Sequence, residues 1–199
     1  SIGHGNTRVA AAMAKQAATI AFSPAHCFAN TPHVELCQRI AEIAPPEMKQ
    51  TFLLSGGSEA TENAVKFARQ YEFVRNNRGK CTVVGRWQGF HGNTFGAMTV
   101  SGITYRRNIY GPMLGHSVKI PPCYCYRCDW GLTYGKCNLE CARALRKAIR
   151  QEGPENVLAF IAETQTELWA TLTKQHVTSS GGQMANGQRA LDVRVLGEA

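Results

Sequence analysis

From Leu54 to Arg69 the chain sets an apolar run, two glycines and a serine directly ahead of a strongly patterned helix. That junction could hold an anion. The first-turn N–H groups of a helix have no intrahelical partners and its dipole is positive there, so Gly57, Ser58 and their neighbours can take a phosphate, with the Ser58 hydroxyl as an added donor. Neither G-x-G-x-x-G nor G-x-x-x-x-G-K-[ST] occurs, which removes support from nucleotide readings. Glu59, Glu62, Lys66 and Arg69 read as helix-surface and dipole residues. A rival group is Cys125, Cys128, Cys137 and Cys141, whose C-x2-C and C-x3-C pairs offer four thiolates to one tetrahedral zinc. Its plainer reading is a Cys- and Tyr-rich surface loop.

Two further stretches could contribute to a site. Val83 to Ala97 is an apolar strand followed by Gly89-Phe90-His91-Gly92, where the glycines permit close backbone approach to a ligand and Phe90 offers an aromatic face. Ala159 to Glu163 is an apolar strand ending in a carboxylate, and ligands of open α/β sheets gather at strand C-termini. In this order the three motifs resemble those of the class III (omega) aminotransferases, which use pyridoxal phosphate (PLP). The resemblance implies an α/β chain that is a truncated part of the fold type I large domain, a mostly parallel sheet flanked by helices. It assigns Gly57 and Ser58 to the cofactor phosphate and Phe90, in place of the commoner Tyr, to stacking on the ring. His91 would line the pocket without acting as the base, and Glu163 would orient the cofactor.

The resemblance spans about residues 1–163, with the Cys-rich loop at 121–141 inside it, and residues 164–199 form a tail that does not match. Ser1 to Asn6 resembles the family's G-H-x-[HN]-P stretch, and a complete enzyme needs about twice this length, so both ends read as cut. The aspartate that keeps the pyridine nitrogen protonated and the Schiff-base lysine are not found. Lys174 stands in a segment resembling the lysine loop but follows Glu163 too soon, so no residue is assigned as catalytic. The full-length family would move an amino group from an omega-amine or amino acid to a 2-oxo acid, as a cytoplasmic homodimer, and the isolated chain is expected to be inactive. Other readings are a non-catalytic partner of a complete subunit, a small zinc module, or a tail that arises from a reading-frame or assembly error.

Composition agrees with a soluble globular protein: 199 residues, 44% hydrophobic and 18% charged. The net charge of +8 comes from scattered Lys and Arg, and the one local cluster, Arg143, Arg146, Lys147 and Arg150, recurs at helical spacing as a solvated face. Nucleic acid is therefore not an expected partner. No apolar run has the length of a membrane span, and no signal-peptide pattern opens the chain. Eight cysteines without such a signal read as reduced thiols, with Cys27, Cys37 and Cys81 as small buried hydrophobes.

The elements that must position these residues follow from periodicity. Helices are expected from Asn6 to Phe22, from Pro32 to Ile43 with Thr31 as cap, from Ser58 to about Asn76 and from Leu139 to Gln151. Strands are expected at Thr51–Leu54, Cys81–Gly85, His116–Ile120 and Val157–Ala162, the first two joined as a βαβ unit. A short helix or turn should follow the loop opened by Gly89. The last 36 residues lose this alternation and receive no element.

Overall fold

The computed structural model describes residues 2–24 and 26–163 and the backbone strand at 191–195. Two compact units divide the chain after residue 54. The first holds α1 (Thr7–Thr19) and α2 (Thr31–Ile43). The Asn6 side chain accepts the Val9 N–H at 3.1 Å, and Asn30, rather than Thr31, caps α2 by accepting the His33 N–H at 2.9 Å. Pro32 falls in the first turn of α2, where its missing N–H costs nothing. The stripe of Val9 and Met13 stays exposed, and neither helix has a buried residue.

The second unit runs α3 (Gly57–Val74), β1 (Thr82–Arg86), α4 (Phe95–Val100), α5 (Thr104–Arg107), a 3-10 turn (Asn108–Met113), β2 (Val118–Ile120), a second 3-10 turn (Cys125–Arg127), α6 (Glu140–Glu152), β3 (Val157–Glu163) and β4 (Leu191–Val195). The sheet order is β2-β1-β3-β4, parallel across β2, β1 and β3, with β4 antiparallel on β3. α3 and α4 cover one face through Val65, Ala68 and Val100 on Val83 and Ile161; α6 covers the other through Leu145, Ala148 and Ile149 with Val84, Ile120 and Val157. Cover on both faces explains why β1 is buried at all five positions and reads as a continuous run instead of an alternation.

Three expectations need correction. Thr51–Leu54 forms no strand: it has no ladder partner among the described residues, and Phe52 and Leu54 are exposed. Cys27 and Cys81 are exposed, lying in a turn and at the rim of β1, and Cys37 is part-buried with its thiol 3.7 Å from the Thr51 carbonyl. β4 lies in the tail that received no element. Lys174 lies outside the described residues.

Two glycines let α4 lie on β1. A Cβ at Gly85 would sit 2.4 Å from the Val100 carbonyl oxygen, and one at Gly102 only 1.9 Å from that of Arg86. Backbone cannot yield as a side-chain tip can, so Gly102→Ala is expected to cost about 3 kcal/mol. Gly111→Ala, with nothing within 4 Å, should change stability by no more than about 0.5 kcal/mol. Urea midpoints of the two variants check this.

Candidate functional site

At the start of α3, Gly56 is an extended N-cap with no side-chain hydrogen bond, and a Cβ at Gly57 would meet nothing within 4 Å. The first-turn N–H groups are left for a ligand. Ser58 Oγ accepts the Asn93 N–H at 2.9 Å, which ties this turn to the loop after β1 and leaves the Ser58 hydroxyl proton to donate. Contact is close enough that Gly92 is obligatory: its φ is +132°, and a Cβ there would lie 2.6 Å from Ser58 Oγ. Glu62, expected on the surface, instead accepts the Gly96 N–H at 3.1 Å and caps α4 together with Thr94.

Three elements grip the Phe90–His91 turn. From β3, Glu163 Oε2 accepts the Phe90 N–H at 3.0 Å. From α3, Thr61 Oγ1 donates to the His91 carbonyl at 2.7 Å. Ser101 Oγ, just past α4, accepts the His91 N–H at 2.9 Å and donates to the Ala97 carbonyl at 2.8 Å. The Phe90 ring is half-buried, and the Arg106 guanidinium lies 4.7 Å over its centroid.

His91 is 4% exposed, and among the described residues neither ring nitrogen has a hydrogen-bond partner. Burial lowers its pKa to about 4, against the raising effect of Glu163 and with a smaller lowering effect from Lys119. At neutral pH the ring therefore keeps one N–H and one lone pair unspent inside the protein. A buried polar group of this kind calls for a partner.

Two basic side chains meet the backbone carbonyls at the C-terminal end of α4. The Arg107 guanidinium donates to the carbonyls of Met98, Thr99 (2.9 Å) and Ser101 (2.8 Å). Lys119 Nζ donates to Thr99 O at 2.9 Å and Ser117 Oγ at 2.6 Å. Burial, then the neighbouring Arg107, pulls the Lys119 amine down to about 7. These carbonyls end α4, where positive charge complements the dipole.

The structure thus brings the surroundings of Gly57, Ser58, Phe90, His91 and Glu163 into one region at the C-terminal ends of β1 and β3. Thr61, Ser101, Arg106, Arg107 and Lys119 were not legible as part of it. Only Thr61 left a signal, since its i+3 spacing from Ser58 puts both on one face of α3. The arrangement can bind a flat anion: free amides and a hydroxyl at one end, an aromatic face, and a neutral imidazole. Among the described residues no three His, Cys, Asp or Glu side chains are placed to hold a metal ion.

Comparison with known proteins gives a match to the family model described as aminotransferase class-III over residues 1–167. A probable aminotransferase of Mycobacterium tuberculosis is 32% identical over 81% of this chain and 35% of its own length. The putrescine–pyruvate aminotransferase of Pseudomonas aeruginosa is 30% identical over 82% of this chain and 36% of its own. Among solved structures, an (S)-enantioselective omega-transaminase from Thermomicrobium roseum superposes with a TM-score of 0.75 at 31% identity, covering 81% of this chain and 36% of that one. The chain therefore spans about a third of the length of these relatives.

His91 makes stability depend on acid. Its folded pKa of about 4 lies below the ordinary 6.5, so the unfolded chain binds more protons between these values. The His91 share of stability is complete above pH 6.5 and is lost by about 3 kcal/mol as pH falls to 4. Urea midpoints measured across this window should fall steeply in the natural chain and less steeply in His91→Asn.

Proposed function

The chain belongs to the class III aminotransferase family, and from that premise we propose that it binds pyridoxal phosphate at the junction of α3 with the turn after β1. One observation carries the reading: a buried imidazole with two unpartnered nitrogens stands beside an uncapped helix start, joined to it through Thr61 and the Ser58–Asn93 bond.

Gly57 and Ser58 would take the phosphate through backbone N–H groups and the free hydroxyl proton. Phe90 would lie against the ring, with Arg106 helping to hold its orientation. His91, neutral at pH 7, can donate or accept one hydrogen bond to a polar substituent but is too weak a base to carry protons for turnover. Glu163 acts on this turn by fixing the Phe90 backbone at 3.0 Å, which places both side chains. When bound, the cofactor supplies an electron sink for breaking and making bonds at the carbon that bears the amino group.

For the whole protein we propose amino transfer from an amine or amino acid to a 2-oxo acid. The name of the Pseudomonas relative, which pairs a diamine as amino donor with pyruvate, a 2-oxo acid, supports that substrate class. A homodimer is proposed on the strength of exposed apolar side chains near the site, Tyr105, Ile109 and Met113. A cytoplasmic setting accords with eight cysteines that form no disulfide. No membrane or nucleic-acid partner is proposed; among the described residues no helix is long and apolar enough to cross a membrane.

The test is equilibrium dialysis of the 199-residue chain with pyridoxal phosphate and with pyridoxal. Only the phosphate ester should bind, and Ser58→Ala should weaken it about 10-fold or more, the loss of one charge-assisted hydrogen bond. Equal retention of both ligands would sink the assignment. With an amine donor and pyruvate added, the chain alone should give no alanine above background.

A further inference from the structure

The Cys-rich loop between β2 and α6 takes no part in that site. Cys125, Cys128, Cys137 and Cys141 all line one cavity of about 20 Å³, flanked by Trp130 and Tyr134. That is room for about one water molecule. The four thiols are reduced and part-exposed. Cys125 begins the second 3-10 turn and Cys141 lies in the first turn of α6, and the loop between them brings both cysteine pairs to the wall of this cavity. Backbone strain helps to do this. Asn138 and Leu139, between Cys137 and Cys141, both have left-handed φ, 47° and 53°, and for leucine that costs about 1 kcal/mol or more.

Cysteines of both pairs line one small cavity, which places a thiol of one pair for chemistry with a thiol of the other. We propose that the loop is a dithiol–disulfide site that a peroxide closes by joining one thiol of the Cys125/Cys128 pair to one of the Cys137/Cys141 pair. In that step two S–H bonds and the O–O bond of hydrogen peroxide break and one S–S bond forms. The sulfurs give up two electrons, the peroxide is reduced, and two waters leave. The bridge would tie the loop to α6, whose Leu145, Ala148 and Ile149 hold one face of the sheet. It therefore also changes how firmly that layer is held.

The full chain, treated with one equivalent of hydrogen peroxide and then alkylated, reports the result directly. Trypsin cuts after Lys119, Arg127 and Lys136, so Cys128 and the Cys137/Cys141 pair fall in separate peptides and Cys125 shares one with Cys123; fragmentation of that peptide tells the two apart, and a bridge placed on Cys123 overturns the proposal. The expected product is a linked peptide between the two pairs, lacking two hydrogens and split by dithiothreitol. Thermal midpoints should rise by about 5–10 °C on oxidation and return on reduction, since a loop of this length is closed in the unfolded chain. Cys125→Ser/Cys128→Ser should abolish both effects. Sulfinic acid without a bridge, bridges only to Cys27, Cys37, Cys81 or another chain, or a stoichiometric zinc that blocks alkylation would each overturn the proposal. If the double variant does not fold, the peptide map of the natural chain decides alone.

Discussion

β1 is hydrogen-bonded on both sides and covered on both faces, so the chain leaving its C-terminal end can go only into the crevice beside the end of β3. Around the site, other placements answer to that constraint. Gly85 and Gly102 must be glycine because α4 returns across the strand within backbone contact. Gly92 must be glycine because the same loop next meets Ser58. Glu163 can reach the Phe90 N–H because parallel pairing brings the two strand ends to one edge. This is the position at which α/β sheets bind ligands, where successive connections diverge.

The electrostatics of the site follow from how its polar groups are satisfied. Backbone groups of the Phe90–His91 turn are paired by Glu163, Thr61 and Ser101, so the turn is rigid without help from a ligand. The imidazole is the exception. Burial keeps it neutral and gives it no internal partner, which is a cost to stability that a bound polar ligand would offset. Arg107 and Lys119 carry the opposite arrangement: their charges are buried in part, and each meets backbone carbonyls that no other helix residue can satisfy.

Helices were legible to within a few residues because apolar spacing and caps are local. Asn6, Pro32 and the left-handed Asn76 after α3 act within one turn of chain. Thr51–Leu54 failed for the opposite reason. An apolar run shows that a segment can pair, but a strand exists only where tertiary structure brings a partner alongside it. Glu62 was misread because its partner, Gly96, lies 34 residues away. Cys27 and Cys81 show the same limit, since residue type gives only an average burial.

The sequence by itself determined the glycine–serine junction that opens α3, the order of the three motifs, the family and most of the helix ends, since each depends on residues close together in the chain. Tertiary structure alone decided that Glu163 works through the Phe90 backbone, that His91 is buried without a partner, and that Arg106, Arg107 and Lys119 converge from three segments. It also decided that four thiols share one cavity. These are properties of distance and burial between remote residues, and no local pattern encodes the solvent that folding removes.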